Sequence, residues 1–200
     1  MDIFLQNLRS QTAQQHTLLE QNTVSKNLLS NQVTAADYAA YLCKLYGFVK
    51  GFEKNVFPLL KQSILDVEER RKTHLLIADL NNLSIDEASI EVISDNFFAE
   101  AYKTNAAALG GMYVLEGSVL GGAIIYKHLQ THLGIEAITG KTNYFRAYGS
   151  ETGSRWKNFL HAFCLASTET EEVIHSAKQT FSIMHHWFND IPLKLTQHET

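Results

Sequence analysis

An all-helical single domain is what this chain predicts, and three observations predict it. Apolar residues recur at helical spacing along most of the 200 residues, no stretch sustains strand alternation, and only Pro58 and Pro192 punctuate the pattern. Hydrophobic residues make up 45% of the chain, which suffices for one large core without a second domain, so residues 1–200 are read as one unit.

The first helix is marked by Leu5, Leu8, Thr12 and Leu19, a stripe with His16 on its border. Thr34-Ala35-Ala36-Asp37 has the signature of a helix start: an N-cap hydroxyl and an acid in the first turn. Tyr38, Tyr41, Leu42, Leu45, Phe48, Val49 and Phe52 then form a broad apolar face. Pro58 interrupts or begins a helix near Phe57, and a charged helix is expected over about residues 66–80. Asn81-Asn82-Leu83-Ser84 reads as a turn, while residues 86–95 receive no assignment. One or two helices follow over about residues 96–133. The next region, 134–153, is rich in Gly, Thr and aromatic residues; its Tyr144, Phe145 and Tyr148 either pack in the core or wall a large flat ligand. A final amphipathic helix is expected over 168–188, with acidic residues near its start.

Within the fourth of these regions, the run from Leu109 to Gly122 reads as helix yet carries five glycines. At about 100° per residue, Gly110, Gly117 and Gly121 share one stripe, with Gly111, Ser118 and Gly122 beside it. Leu109, Tyr113, Leu120 and Ile124 hold the opposite face, expected to be packed. Each helical glycine costs about 0.8–1 kcal/mol relative to alanine. Two purposes justify that cost: a close helix crossing, or a flat ligand lying against bare backbone.

His16 lies one turn before Glu20 and two turns after Arg9. A histidine there is either a satisfied, partly buried side chain or a metal ligand. In the second case Glu20 is spaced to accept its other N–H directly or through water. Arg9, roughly 10 Å along the same face, can pair with an anionic edge of the same ligand.

The chain resembles heme oxygenase, in particular the bacterial members, through Leu8-Arg9-x-x-Thr12-x-x-x-His16-x-x-Leu19-Glu20 and Tyr113-Val114-Leu115-Glu116-Gly117-Ser118-x-Leu120-Gly121-Gly122. A weaker third piece is Trp156-Lys157-x-Phe159, followed by Ala177-x-x-Thr180-Phe181 and Trp187-Phe188. The resemblance implies a multi-helix bundle holding heme between a proximal N-terminal helix and a kinked, glycine-rich distal helix. It implies His16 as the iron ligand, and Gly117, Ser118 and Gly121 as the catalytic distal face. Arg9, Glu20, Tyr113 and Gly122 are placed at the heme as well, and Lys157 and His161 are placed at its propionates. Some relatives carry aspartate at the position of Ser118, arginine at that of His161, and arginine or glutamine where this chain has Ala123. Serine still holds water without a charge, and His161 is a weaker, pH-sensitive partner than arginine.

The function so implied is oxidative cleavage of heme to biliverdin, carbon monoxide and iron, heme being both substrate and cofactor, with O2 as oxidant. Arg9 and Lys157 as propionate anchors imply mainly the alpha isomer. No flavin or nicotinamide fingerprint occurs, so electrons are expected from a ferredoxin, flavodoxin or reductase. Two other classes fit some of the same residues: a non-catalytic heme carrier or sensor, and a thiaminase-type helical enzyme using Cys43 or Cys164.

The remaining features bound the answer. A formal charge of −4 and a pI near 6.1 argue against a general nucleic-acid binder. Two separated cysteines without a CxxC pair suit a reducing compartment, and a start without a basic, then apolar, leader leads us to expect a cytoplasmic protein. The run 106–125 contains Glu116 and five glycines, which favours a buried helix over a membrane span. Glu172-x-x-His175 is half of a di-iron motif without its second copy, and His128 and His132 lack a third ligand. The adjacent pair His185-His186 diverges by about 100° on a helix, one side chain toward the core and one outward.

Overall fold

The computed structural model describes residues 3–60 and 66–190; Pro192 lies outside them. Among the described residues there is no strand, and nine α-helices are joined by short 3-10 turns. They are α1 Ile3–Glu20, α2 Thr23–Leu28, α3 Ala35–Asn55, α4 Thr73–Asn82, α5 Asp95–Ala101, α6 Asn105–Leu133, α7 Ile135–Ile138, α8 Thr152–Ala166 and α9 Thr170–Phe188. The whole is one helical domain around a continuous core.

Local chemistry explains where the helices begin. Thr34 and Asp37 close a reciprocal capping box: the Asp37 N–H donates to Thr34 Oγ1 at 3.1 Å and the Thr34 N–H to Asp37 Oδ2 at 2.9 Å. The expected charged helix over 66–80 is divided. A 3-10 turn, Val67–Arg70, is followed by extended Arg71 and only then by α4. The division has a physical cause. Buried Glu53 of α3 accepts the Lys72 N–H at 2.5 Å and the Thr73 hydroxyl at 2.7 Å, capping α4 from another helix. Arg70 and Lys72 are turned inward by the break.

The core is aromatic on the α3 side, where Phe52 meets Tyr102 edge-on at 5.3 Å and the Tyr102 hydroxyl lies 2.8 Å from Thr180 Oγ1. Helix α6 runs through all five glycines without a break and packs most extensively on α9. It is long and apolar enough to cross a membrane, but 61% of its most apolar window is buried inside the fold. Gly110 and Gly111 set how closely it is approached. A Cβ on Gly110 would stand 2.4 Å from the Val173 carbonyl of α9, and one on Gly111 2.6 Å from the Phe52 ring. Ser176 of α9 ties the same crossing by donating to the Ala107 carbonyl at 2.6 Å.

Candidate functional site

Helices α1 and α6, with α8 and α9 behind, enclose a cavity of about 300 Å³. Arg9, His16, Leu19 and Glu20 form the α1 wall; Tyr113, Val114, Gly117, Ser118 and Leu120 form the α6 wall; Trp156, Phe181 and Met184 complete it. An apolar slot with a few polar groups on its walls suits a flat, amphiphilic ligand.

The α1 wall presents His16 because Leu5, Leu8 and Thr12 are buried on the core side, leaving the histidine at the stripe's edge. Thr12 satisfies its hydroxyl within the helix, on the Leu8 carbonyl at 2.8 Å. The His16 ring stands edge-on to Phe181 with centroids 5.4 Å apart, and its side chain remains 55% exposed. Its Nδ1 lies 3.6 Å from Glu20 Oε1, too long for a direct bond and suited to a bridging water or a small rotation. Arg9 reaches Tyr113 across the slot: burial pushes the Tyr113 phenol up, and the charge and hydrogen bond of Arg9 oppose that rise.

The α6 wall separates the five glycines by purpose. Gly110 and Gly111 serve packing. Gly122, expected at the heme, serves packing as well: a Cβ there would stand 2.5 Å from the Phe145 carbonyl, so the backbone of the 144–146 turn occupies the space. A Cβ on Gly117 would make only ordinary contact with Trp156 at 3.5 Å, and one on Gly121 would meet nothing within 4 Å. Protein packing therefore leaves these two unexplained, and Gly117 lies in the wall of the cavity that holds His16. Leu120 and Ile124, expected to pack, are 43% and 71% exposed, with Leu120 in the slot wall. Leu120 shares that wall with Tyr113 and Gly117, because the three positions fall within about 60° of one another on the helix, so these apolar residues lie beside the open glycine rather than opposite it.

Of α8, Trp156 lines the cavity, a residue the sequence did not single out for the site. Lys157 and His161 are exposed and stand outside the cavity wall, because that wall is reached from the face carrying Trp156 and the buried Phe159. Val114 and Met184 are wall residues without a distinctive sequence signal, being ordinary apolar positions of amphipathic helices.

Glu116, immediately before Gly117, points away from the slot into a buried cluster. It accepts from Arg70, from Lys72 Nζ at 2.8 Å and from the Tyr148 hydroxyl at 2.9 and 3.1 Å. Burial pushes the Lys72 ammonium down while Glu116 opposes the change; burial and the Glu116 charge push the Tyr148 phenol up, so tyrosine is the donor. An acid inside an apolar helical run was the available sequence signal; its partners, 32 to 46 residues away, carried none.

The other candidates stay apart. His128 Nε2 lies 3.0 Å from the Ser30 carbonyl with the His132 ring 4.4 Å away, and Glu172 pairs with Thr104. Among the described residues no three His, Cys, Asp or Glu side chains are placed to hold a metal together. Cys43 and Cys164 line no part of the slot, and burial pushes the Cys43 thiol up.

A helical domain whose slot has a histidine helix on one side and a helix with an open glycine on the other has the form of a site for a flat ligand between two helices. Comparison narrows the class. The family model described as heme oxygenase matches residues 2–190, and the chain belongs to the heme oxygenase family, enzymes that degrade heme. Heme oxygenase from Leptospira interrogans superposes with a TM-score of 0.72 at 17% identity, over 94% of this chain and 99% of that one. Heme oxygenase-1 from the cyanobacterium Synechocystis, solved in complex with heme, gives 0.75 at 17% identity, over 94% and 91%. The NO- and CO-bound heme oxygenase from Neisseria meningitidis gives 0.65 at 19% identity, over 98% of each chain. No curated protein sequence matches at a significant level.

Proposed function

We propose that this heme oxygenase takes heme edgewise into the slot, with His16 as the iron ligand, and converts it with O2 to biliverdin, carbon monoxide and iron. The observation that carries the reading is the pair Gly117 and Gly121: no protein atom requires glycine at either, and Gly117 shares its cavity with His16. Heme supplies the iron at which oxygen is activated and the ring that is cut. The protein's part is placement. His16 ligates through one imidazole nitrogen while Glu20, through water, fixes the other N–H and with it the tautomer. Trp156, Phe181 and Met184 exclude water from one flank of the ring. Gly117 leaves room in the wall that faces His16, Gly121 leaves open space one turn further along α6, and Ser118 holds water beside them for proton delivery. Arg9 receives an anionic edge, its charge already shared with Tyr113. Electrons come from an external ferredoxin, flavodoxin or reductase, in the cytoplasm.

The test is a titration of hemin into the purified protein, followed by reductant in air. A one-to-one histidine-ligated spectrum that decays to a bilin is expected. Stoichiometric binding without ring loss would assign a carrier or sensor instead, and no stoichiometric binding would end the reading.

A further inference from the structure

Behind Ser118 lies a second hydroxyl without a role so far. Tyr144 is 2% exposed, and its phenolic oxygen sits 3.4 Å from Ser118 Oγ, at the long end of hydrogen-bond range. Its placement is overdetermined. Asp79, fully buried on α4, accepts the Asn143 N–H at 2.7 Å, the Asn143 side-chain amide at 2.7 Å and the Tyr144 N–H at 2.9 Å. On the other side the Phe145 backbone lies in the hollow left by Gly122 of α6. A buried carboxylate and a glycine thus clamp one 3-10 turn from two helices, and the turn delivers a single hydroxyl to the back of the slot wall.

Proton counting gives the direction. Ser118 donates its only hydroxyl proton to the Leu115 carbonyl at 2.7 Å. Tyr144 is therefore the donor and Ser118 the acceptor, which leaves Ser118 one lone pair toward the slot. Burial pushes the Tyr144 phenol up, so it keeps this proton across the working range of pH.

We infer that Tyr144 is a positioning residue for the reaction: held by Asp79 and Gly122, it fixes Ser118 as a hydrogen-bond acceptor toward the slot and so orients the water that Ser118 holds. The inference rests on the proposed role of Ser118 at the distal face. It also gives the chain's serine a defined polarity: with its proton spent on Leu115 it offers an acceptor, without bringing a charge.

The experiment is a double-mutant cycle of Tyr144→Phe and Ser118→Ala, with Asp79→Asn as an independent way to loosen the turn. Each variant is checked by far-UV circular dichroism and titrated with hemin. Bilin yield and the C–O stretching frequency of the carbon monoxide complex are then recorded. Loss of one neutral hydrogen bond predicts a roughly three- to tenfold lower bilin rate in Tyr144→Phe, with hemin affinity within about twofold of the parent. The C–O frequency should shift in Tyr144→Phe and in Asp79→Asn. In the Ser118→Ala background, Tyr144→Phe should change neither rate nor frequency. Equal effects in both backgrounds, or none in either, would overturn the inference while leaving the heme oxygenase reading intact. A parent protein that fails to bind hemin would overturn both.

Discussion

Replacing Gly121 by alanine should make the protein more stable, and replacing it by leucine should make it inactive. The two results together test whether α6 is cleared for a ligand. A Cβ at this position meets no atom within 4 Å, so alanine adds no clash and removes the helix penalty of glycine, about 0.8–1 kcal/mol. For a chain of this length that corresponds to a rise in Tm of roughly 2–4 °C, measurable by calorimetry on heme-free protein. Gly110→Ala is the control. Its Cβ would stand 2.4 Å from the Val173 carbonyl, and forcing two helices apart costs roughly 1–3 kcal/mol, which outweighs the propensity gain and lowers Tm. Gly121→Leu should retain hemin through His16 yet lose at least tenfold in bilin yield. If Gly121→Ala melts lower than the parent, the position is packed; if Gly121→Leu forms bilin at the parental rate, the clearance has no catalytic purpose.

Other outcomes can be checked separately. His16→Ala should lose the histidine-ligated hemin spectrum and most turnover, partly restored by imidazole; an unchanged spectrum would remove His16 as ligand. Glu116→Ala leaves Arg70 and Lys72 buried without their carboxylate and should cost about 3–5 kcal/mol, seen as a Tm lower by roughly 6–20 °C. Arg9→Ala should weaken hemin binding and change the bilin isomer ratio, whereas Lys157→Ala, outside the cavity wall, should change neither; the reverse pattern in chromatographic isomer analysis would restore the original anchor assignment. Burial pushes Tyr41 up to about 12, and Tyr38, Tyr102, Tyr144 and Tyr148 also upward. The folded state then holds protons that the unfolded state releases above about pH 10, so stability falls as pH rises from there through the folded pKa values, by about 1.4 kcal/mol per pH unit for each fully shifted tyrosine. Urea midpoints at pH 8, 10 and 11 should decline in that order; a flat series would contradict the burial of these phenols.

How far the sequence could be read depended on whether a residue's partner was local. Helix periodicity, the Thr34–Asp37 cap and the His16 border position are local, and the chain displays them within one or two turns. The break before α4 was hidden because its cause is Glu53, a residue of α3 that spends its carboxylate on another helix's N-terminus. The five glycines formed a legible stripe with an ambiguous purpose. Only the third dimension divides them, since Gly122 and Gly121 are neighbours in sequence while one faces Phe145 and the other faces open space. Lys157 and His161 show the same dependence: α8 turns Trp156 to the slot and leaves those two exposed outside its wall, an orientation the sequence alone does not display. Tyr144 stood among the aromatic residues of the loop region, but nothing in the chain tied it to Asp79 or to Ser118.

The packing glycines lie on both sides of the open ones, Gly110 and Gly111 before Gly117 and Gly121, and Gly122 after. Helix α6 is therefore gripped at both ends of its ligand face and cannot roll about its axis without driving backbone into α9 at one end or into the 144–146 turn at the other. One residue inserted between 112 and 116 would rotate the downstream stripe by about 100°, turning Gly117 out of the slot and Gly122 out of its seat together. In this five-residue stretch the count of residues is thus constrained as well as their identity, because the count sets the angle at which the bare face meets the slot.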